Sequence, residues 1–198
     1  DDITHAENFN PFGEIVRRTI EGPIHRYTYC DAGIRVRQLA NMLQNLGVTK
    51  GDRVATLAWN GYRHYELYYA TSGIGAIIHT VNPRLFPEQI EYILNHAEDK
   101  ILCVDLSFLP LVQQLAPRLP HLEHVIVLTD ERHMPTSGLH KALCYEIELA
   151  RYNDDFTWPR FDDQTAAALC YTSGTTGNPK GVLYSHRSQI LHAYATVQ

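Results

Sequence analysis

The sequence has no apolar run approaching the roughly 18 residues that a membrane-crossing helix needs, so no transmembrane segment is expected. It has no Cys-x-x-Cys spacing. Its four cysteines (Cys30, Cys103, Cys144 and Cys170) are scattered, and its eleven histidines form no His/Cys pattern that repeats at zinc-ligand spacing. The cysteines read as reduced thiols, with Cys103 and Cys170 inside strand-like apolar runs. There is no excess of positive charge. The formal net charge is -5, which argues against a nucleic-acid partner. The start shows no initiator Met, no basic leader and no apolar leader core, so the expectation is a cytoplasmic chain that begins at the edge of a longer polypeptide. Internal repeats and low-complexity tracts are absent. From Gln164 to Gln198 there is no carboxylate at all.

The composition is that of a folded protein. A hydrophobic share of 44% with 20% charged residues is close to the globular average, which excludes a disordered or collagenous chain. A chain of 198 residues can bury about 70% of its unfolded surface without a metal or disulfide staple.

Along the chain, Glu14 to Ile20 and Ile24 to Tyr29 read as two strands around the turn Glu21-Gly22-Pro23. Thr28-Tyr29-Cys30-Asp31 resembles a capping box with Asp in place of Glu. It opens a helix whose apolar positions Ala32, Val36, Leu39, Ala40, Leu43 and Leu46 keep helical spacing up to the stop at Gly47. Strands and helices then alternate. Strands are expected at 53–59, 76–81, 101–104, 124–128 and 166–171. Helices are expected at 62–74, from Pro87 to about His96, at 106–115, at 139–151 and from Ser185 onward. Such alternation implies parallel pairing with right-handed crossovers. The expected fold is therefore α/β, a mainly parallel sheet flanked by helices. Residues 1–28 form an amino-terminal hairpin or arm, and 29–198 an α/β subdomain. The chain stops inside a helical segment at Thr196-Val197-Gln198, a second sign of truncation.

The chemistry concentrates in Tyr171-Thr172-Ser173-Gly174-Thr175-Thr176-Gly177-Asn178-Pro179-Lys180-Gly181. This stretch follows a strand, where ligands gather in open α/β sheets. Its glycines let backbone amides approach an anion, its hydroxyls donate hydrogen bonds, and Lys180 supplies positive charge. It is not a Walker A loop: with Gly174 as that motif's first glycine, Pro179 stands where the second must be. A flexible strand-to-helix turn would explain the glycines, but not the hydroxyl density beside a lysine.

This segment resembles the signature loop of the AMP-forming acyl-CoA synthetases. Ser185-His186-Arg187-Ser188, Gly51 to Ala55, His79 to Leu85 and Tyr92 to Ala97 resemble the medium- and long-chain fatty acyl-CoA synthetase branch. The resemblance runs from about Glu14 to the end. It implies the amino-terminal portion of a much longer adenylate-forming enzyme, an incomplete part of its large amino-terminal domain.

By position, the resemblance makes Thr172, Ser173, Gly174, Thr175, Thr176, Gly177 and Lys180 the ATP phosphate-binding residues, with Thr172 in contact with Mg2+. It implies ATP, Mg2+ and CoA, a carboxylic acid (a fatty acid) as substrate, and a homodimer. The family's Tyr-Gly-x-Thr-Glu segment, ribose-binding Asp and adenylation lysine have no counterpart here, so no catalytic residue is assigned and the chain alone is expected to be inactive. A stand-alone nucleotide-binding or interaction module, and a ligase for a short, branched or sulfur-containing acid, are the alternatives.

Among the remaining candidates, Asn82-Pro83-Arg84 reads as a turn, with cleft lining as the alternative, and His186 as a helix-start packing residue or a substrate contact. The tyrosines at 62, 65, 68 and 69 read as packing residues, with a stacking surface as the alternative, and the arginines at 17, 18, 26, 35 and 37 as a solvated or subunit-facing surface.

Overall fold

The computed structural model describes residues 2–136, 139, 142–172 and 177–196. A short helix, α1 (Asp2–Phe9), precedes a hairpin of β1 (Glu14–Arg18) and β2 (Ile24–Thr28). These strands pair antiparallel from Glu14 opposite Thr28 to Arg18 opposite Ile24. The hairpin is a sheet of its own. Helix α1 is absent from the sequence reading because residues 2–9 hold little apolar material. Its anchor is Ile3, which is buried in the core.

The chain enters α2 (Tyr29–Asn45) through the expected capping box. Asp31 N–H donates to Thr28 Oγ1 (3.1 Å), and Thr28 N–H donates to Asp31 Oδ2 (2.9 Å). Gly47, at φ +84°, turns the chain out of the helix in a conformation that costs a side chain dearly.

The main unit alternates β3 (Arg53–Leu57), α3 (Tyr62–Gly73), β4 (Ile77–Thr80), α4 (Pro87–Ala97), β5 (Ile101–Val104), α5 (Leu109–Leu115) and β6 (His124–Val127). It continues with β7 (Ala142–Cys144), α6 (Tyr145–Leu149), β8 (Ala166–Tyr171), β9 (Gly181–Ser185) and α7 (His186–Thr196). The sheet order is β7-β6-β5-β3-β4-β8-β9, parallel throughout except for β9, which runs antiparallel to β8.

Two core layers cover the two faces. Val54, Ile78, Ile101, Cys103 and Ile126 meet α2, α3 and α6, whereas Ala55, Leu57, Leu102, Val104 and Val127 meet α4 and α5. Adjacent residues of one strand thus serve opposite layers. This is why the central strands read as unbroken apolar runs rather than alternating ones. Each fully buried Leu or Ile contributes about 1.5–3 kcal/mol.

Two further elements differ from the expectation. The helix expected over 139–151 is a three-residue edge strand, β7, that passes directly into the short helix α6. The segment after the loop is an unexpected strand, β9, while α7 starts at His186 as expected, with Ser188 N–H donating to the Ser185 hydroxyl at 3.2 Å.

Arg35 and Arg37 are not surface residues either. Arg37 bonds Glu7 of α1 (2.9 Å). Arg35 bridges fully buried Glu66 (2.7 and 3.1 Å) and Glu146 (3.0 and 3.0 Å). Tyr145 donates to Glu66 at 2.6 Å, while Tyr62 at 2.7 Å and Arg63 at 2.8 Å both donate to Glu146. Arg63 and Thr129 also donate to Glu21 in the turn between β1 and β2, at 2.9 and 2.8 Å, which locks the separate hairpin onto the main unit. The two carboxylates that share Arg35 shift oppositely. Desolvation dominates at Glu66 and raises its pKa, while at Glu146 the pairing with Arg35 and Arg63 outweighs burial and lowers it.

Candidate functional site

Thr172 to Lys180 join two antiparallel neighbours, β8 and β9. The backbone ladder, with Tyr171 opposite Gly181 and Cys170 opposite Val182, brings both ends of the loop together. Thr172 N–H extends that ladder by donating to the Lys180 carbonyl at 3.0 Å. The loop is therefore the tip of a hairpin at the carboxyl end of the sheet, beside β4. The helix expected from Ser185 onward does follow, but not at once. Five residues of β9 lie between, about 17 Å of extended chain, so the N-terminus of α7 is at the far end of that strand.

Ser173, Gly174, Thr175 and Thr176 lie outside the described residues. The stem that carries them is described. Thr172, Gly177 and Lys180 are exposed, and Pro179 is buried. Thr172 uses its amide within the stem. Its hydroxyl lies 3.5 Å from the Lys180 carbonyl, a long contact. Gly177 has φ +95°, a conformation that favours glycine, and open space where a Cβ would stand. Exposed hydroxyl, lysine and glycine, with no carboxylate from Gln164 onward, suit a polyphosphate. Thr172 Oγ1 could also share a Mg2+ that phosphates hold. Among the described residues no group of three or more His, Cys, Asp or Glu could hold a metal ion by itself.

The stem rests on a polar cluster that residue spacing did not reveal. Tyr171 hydroxyl meets His96 Nδ1 of α4 at 2.7 Å, and the Tyr171 ring lies 5.2 Å from that of His79 in β4. His79 in turn bonds Asp99 (Nδ1 to Oδ2, 2.7 Å), both residues being buried. Burial raises the carboxyl pKa of Asp99 and pushes the Tyr171 phenol up to about 12. Thr80 and Cys170 meet side by side across β4 and β8 at 3.3 Å.

A family model described as AMP-binding enzyme matches residues 10–198. The chain belongs to that family. It is 42% identical over 194 residues to the medium-chain-fatty-acid–CoA ligase of Ectopseudomonas oleovorans, covering 98% of this chain and 36% of that protein. It is 45% identical over 182 residues to the long-chain-fatty-acid–CoA ligase of Thermus thermophilus, covering 92% and 32%. Against the 3-methylmercaptopropionyl-CoA ligase of Ruegeria pomeroyi the identity is 44% over 194 residues, covering 98% and 36%. The chain thus spans about a third of the length of these curated relatives. The crystal structure of the anthranilate CoA ligase AuaEII in complex with anthranoyl-AMP superposes with a TM-score of 0.84 at 27% identity, over 98% of this chain and 36% of that one. The α/β fold with a mostly parallel sheet is that of these ligases, and no helix among the described residues is long and apolar enough to cross a membrane.

Asn82 Oδ1 accepts from Arg84 N–H at 3.0 Å, closing the turn. His186 opens α7, its N–H donating to the Thr165 carbonyl at 3.1 Å and its ring lying 4.9 Å from Phe161. Tyr62 is buried, and Tyr65 and Tyr69 pack on the same core layer. Tyr65, Tyr68 and Tyr69 also line a cavity of about 640 Å³ with Trp158, Phe161 and His186, at the Ser185 end of β9 and away from the loop.

Proposed function

We propose that this chain is the ATP-phosphate-binding part of an AMP-forming acyl-CoA ligase that activates a medium- or long-chain fatty acid. The parent protein would use ATP, Mg2+ and CoA in the cytoplasm, a reducing compartment that suits four free thiols. The observation that carries this reading is the hairpin stem, which closes at Thr172 and Lys180 on a segment rich in glycine and hydroxyls.

Thr172, Ser173, Thr175 and Thr176 are assigned as hydroxyl or amide donors to the β- and γ-phosphates. Gly174 and Gly177 allow close approach, and Lys180 balances charge. In the first half-reaction the acid's carboxylate attacks the α-phosphorus, forming the acyl-adenylate and releasing pyrophosphate. In the second, the CoA thiol displaces AMP. Donors fixed on the polyphosphate stabilise the charge that grows on the leaving pyrophosphate, and Mg2+, when bound, shares that charge.

The 198-residue chain by itself is expected to give no ATP–pyrophosphate exchange, because phosphate contacts alone compete with water and salt. Robust exchange by the purified chain would refute this. A substrate series with the parent protein tests the acid: a preference for six or more carbons, about tenfold or greater, is expected. Preference for a sulfur-containing acid would instead favour the chemistry named for the Ruegeria relative.

The parent is also expected to be a homodimer joined through α1 and the hairpin, where Phe9, Phe12 and Ile24 are exposed. Light scattering should give twice the chain mass, falling to one for Phe12→Asp. A monomer from the unaltered parent would count against this interface.

A further inference from the structure

We infer that His96 is a positioning residue for adenylate formation: through its hydrogen bond to the Tyr171 hydroxyl it fixes the stem of the β8–β9 loop and hence the reach of Lys180. This rests on the phosphate-binding reading above. Three separated segments converge here. Tyr171 opens the loop, His96 closes α4, and His79 on β4 holds Asp99 beneath them.

The loop's first ladder pair is Tyr171 with Gly181, and the next bond is that between Thr172 and Lys180. Tyr171 is therefore part of the stem's own ladder, and whatever anchors its side chain anchors a residue of the stem. A Cβ at Gly181 would stand 3.2 Å from the Tyr171 ring, so that glycine leaves the room the phenol needs to lie across the stem. The half-buried ring packs against the cluster of Ile77, Ala97 and Leu169, so what the exposed His96 adds is the anchor at the hydroxyl end. With it, the phenol is held from both sides, by His96 at its hydroxyl and by the buried His79 against its ring. The imidazole does not touch substrate. It sets where the lysine can be.

A double-mutant cycle in the parent ligase tests this, with Tyr171→Phe, His96→Ala and the pair, read by single-turnover rates of the two half-reactions. Each single variant is expected to slow adenylate formation about three- to tenfold, with the double variant no slower than either, since both remove one bond. Transfer of a preformed acyl-adenylate to CoA should be unchanged. His96→Asn, whose amide reaches the place of Nδ1, should recover most of the rate. Additive losses, equal slowing of both half-reactions, or no rescue by Asn would overturn the inference. Lys180→Ala in the same assay separates the two failures. If it slows adenylate formation while the cycle is additive, the positioning role alone is wrong. If it has no effect, the phosphate reading and the role built on it fall together.

Discussion

Lys180→Ala in the parent ligase is expected to slow acyl-adenylate formation by about tenfold to a hundredfold and to leave acyl transfer to CoA unaltered. Polyphosphate is present only in the first half-reaction, so a charge-assisted contact to it acts only there. Such a contact contributes roughly 1.5–3 kcal/mol, which sets the size of the loss. Thr175→Ala and Thr176→Ala should give smaller losses with the same selectivity. The fold should survive, because Lys180 is exposed and gives the stem only its backbone carbonyl, which alanine keeps. Equal slowing of both steps, in single-turnover assays, would make the loop scaffolding and remove the phosphate role.

The second large effect is on stability. Arg35→Met leaves Glu66 buried without its guanidinium and should cost about 3–5 kcal/mol. For a chain of this size that lowers the unfolding midpoint by about 6–20 °C. The deficit should also depend on pH. Burial already raises the Glu66 carboxyl pKa, and the variant raises it further. A group whose folded pKa lies above its unfolded value stabilises at low pH and loses that contribution as pH rises. Glu146 acts in the same direction. Its pairing with Arg35 holds its pKa low, which favours the unaltered protein above the ordinary carboxylate range. The gap between Arg35→Met and the unaltered chain should therefore be wider at about pH 8 than at about pH 5 in thermal melts. A gap that narrows as pH rises would contradict the assignment. Arg35→Lys should recover only part, since an ammonium cannot fork to two carboxylates.

The sequence made some of this legible and hid the rest for physical reasons. The capping box at Thr28 and Asp31 is local chemistry, and it is present atom for atom. The central strands declare themselves because burial on both faces demands continuous apolar residues. β7 is hidden because three residues carry no period and no turn separates Cys144 from Tyr145. β9 is hidden because Gly181-Val182-Leu183-Tyr184-Ser185 continues without a break into α7. Arg35 looks like an ordinary helix-surface arginine because its partners stand 31 and 111 positions away. The loop's residue types point to phosphate from sequence alone. That its ends are clasped by a ladder, and that Tyr171 leans on His96, are facts of three dimensions.

β9 has a practical consequence for anyone handling this chain. Among the described residues it is the outer strand of the sheet, bonded only to β8, and Val182, Leu183 and Tyr184 are all exposed. No residue of the neighbouring α7 is buried, and its Leu191 and Tyr194 are 60% and 65% exposed. The far edge of that strand offers amides and carbonyls beside greasy side chains, with no lysine or proline inside the strand to discourage a newcomer. Purified at high concentration, the 198-residue chain is therefore expected to clump edge to edge, through contacts that owe nothing to α1 or the hairpin. A charge placed outward at Leu183 should keep it in solution.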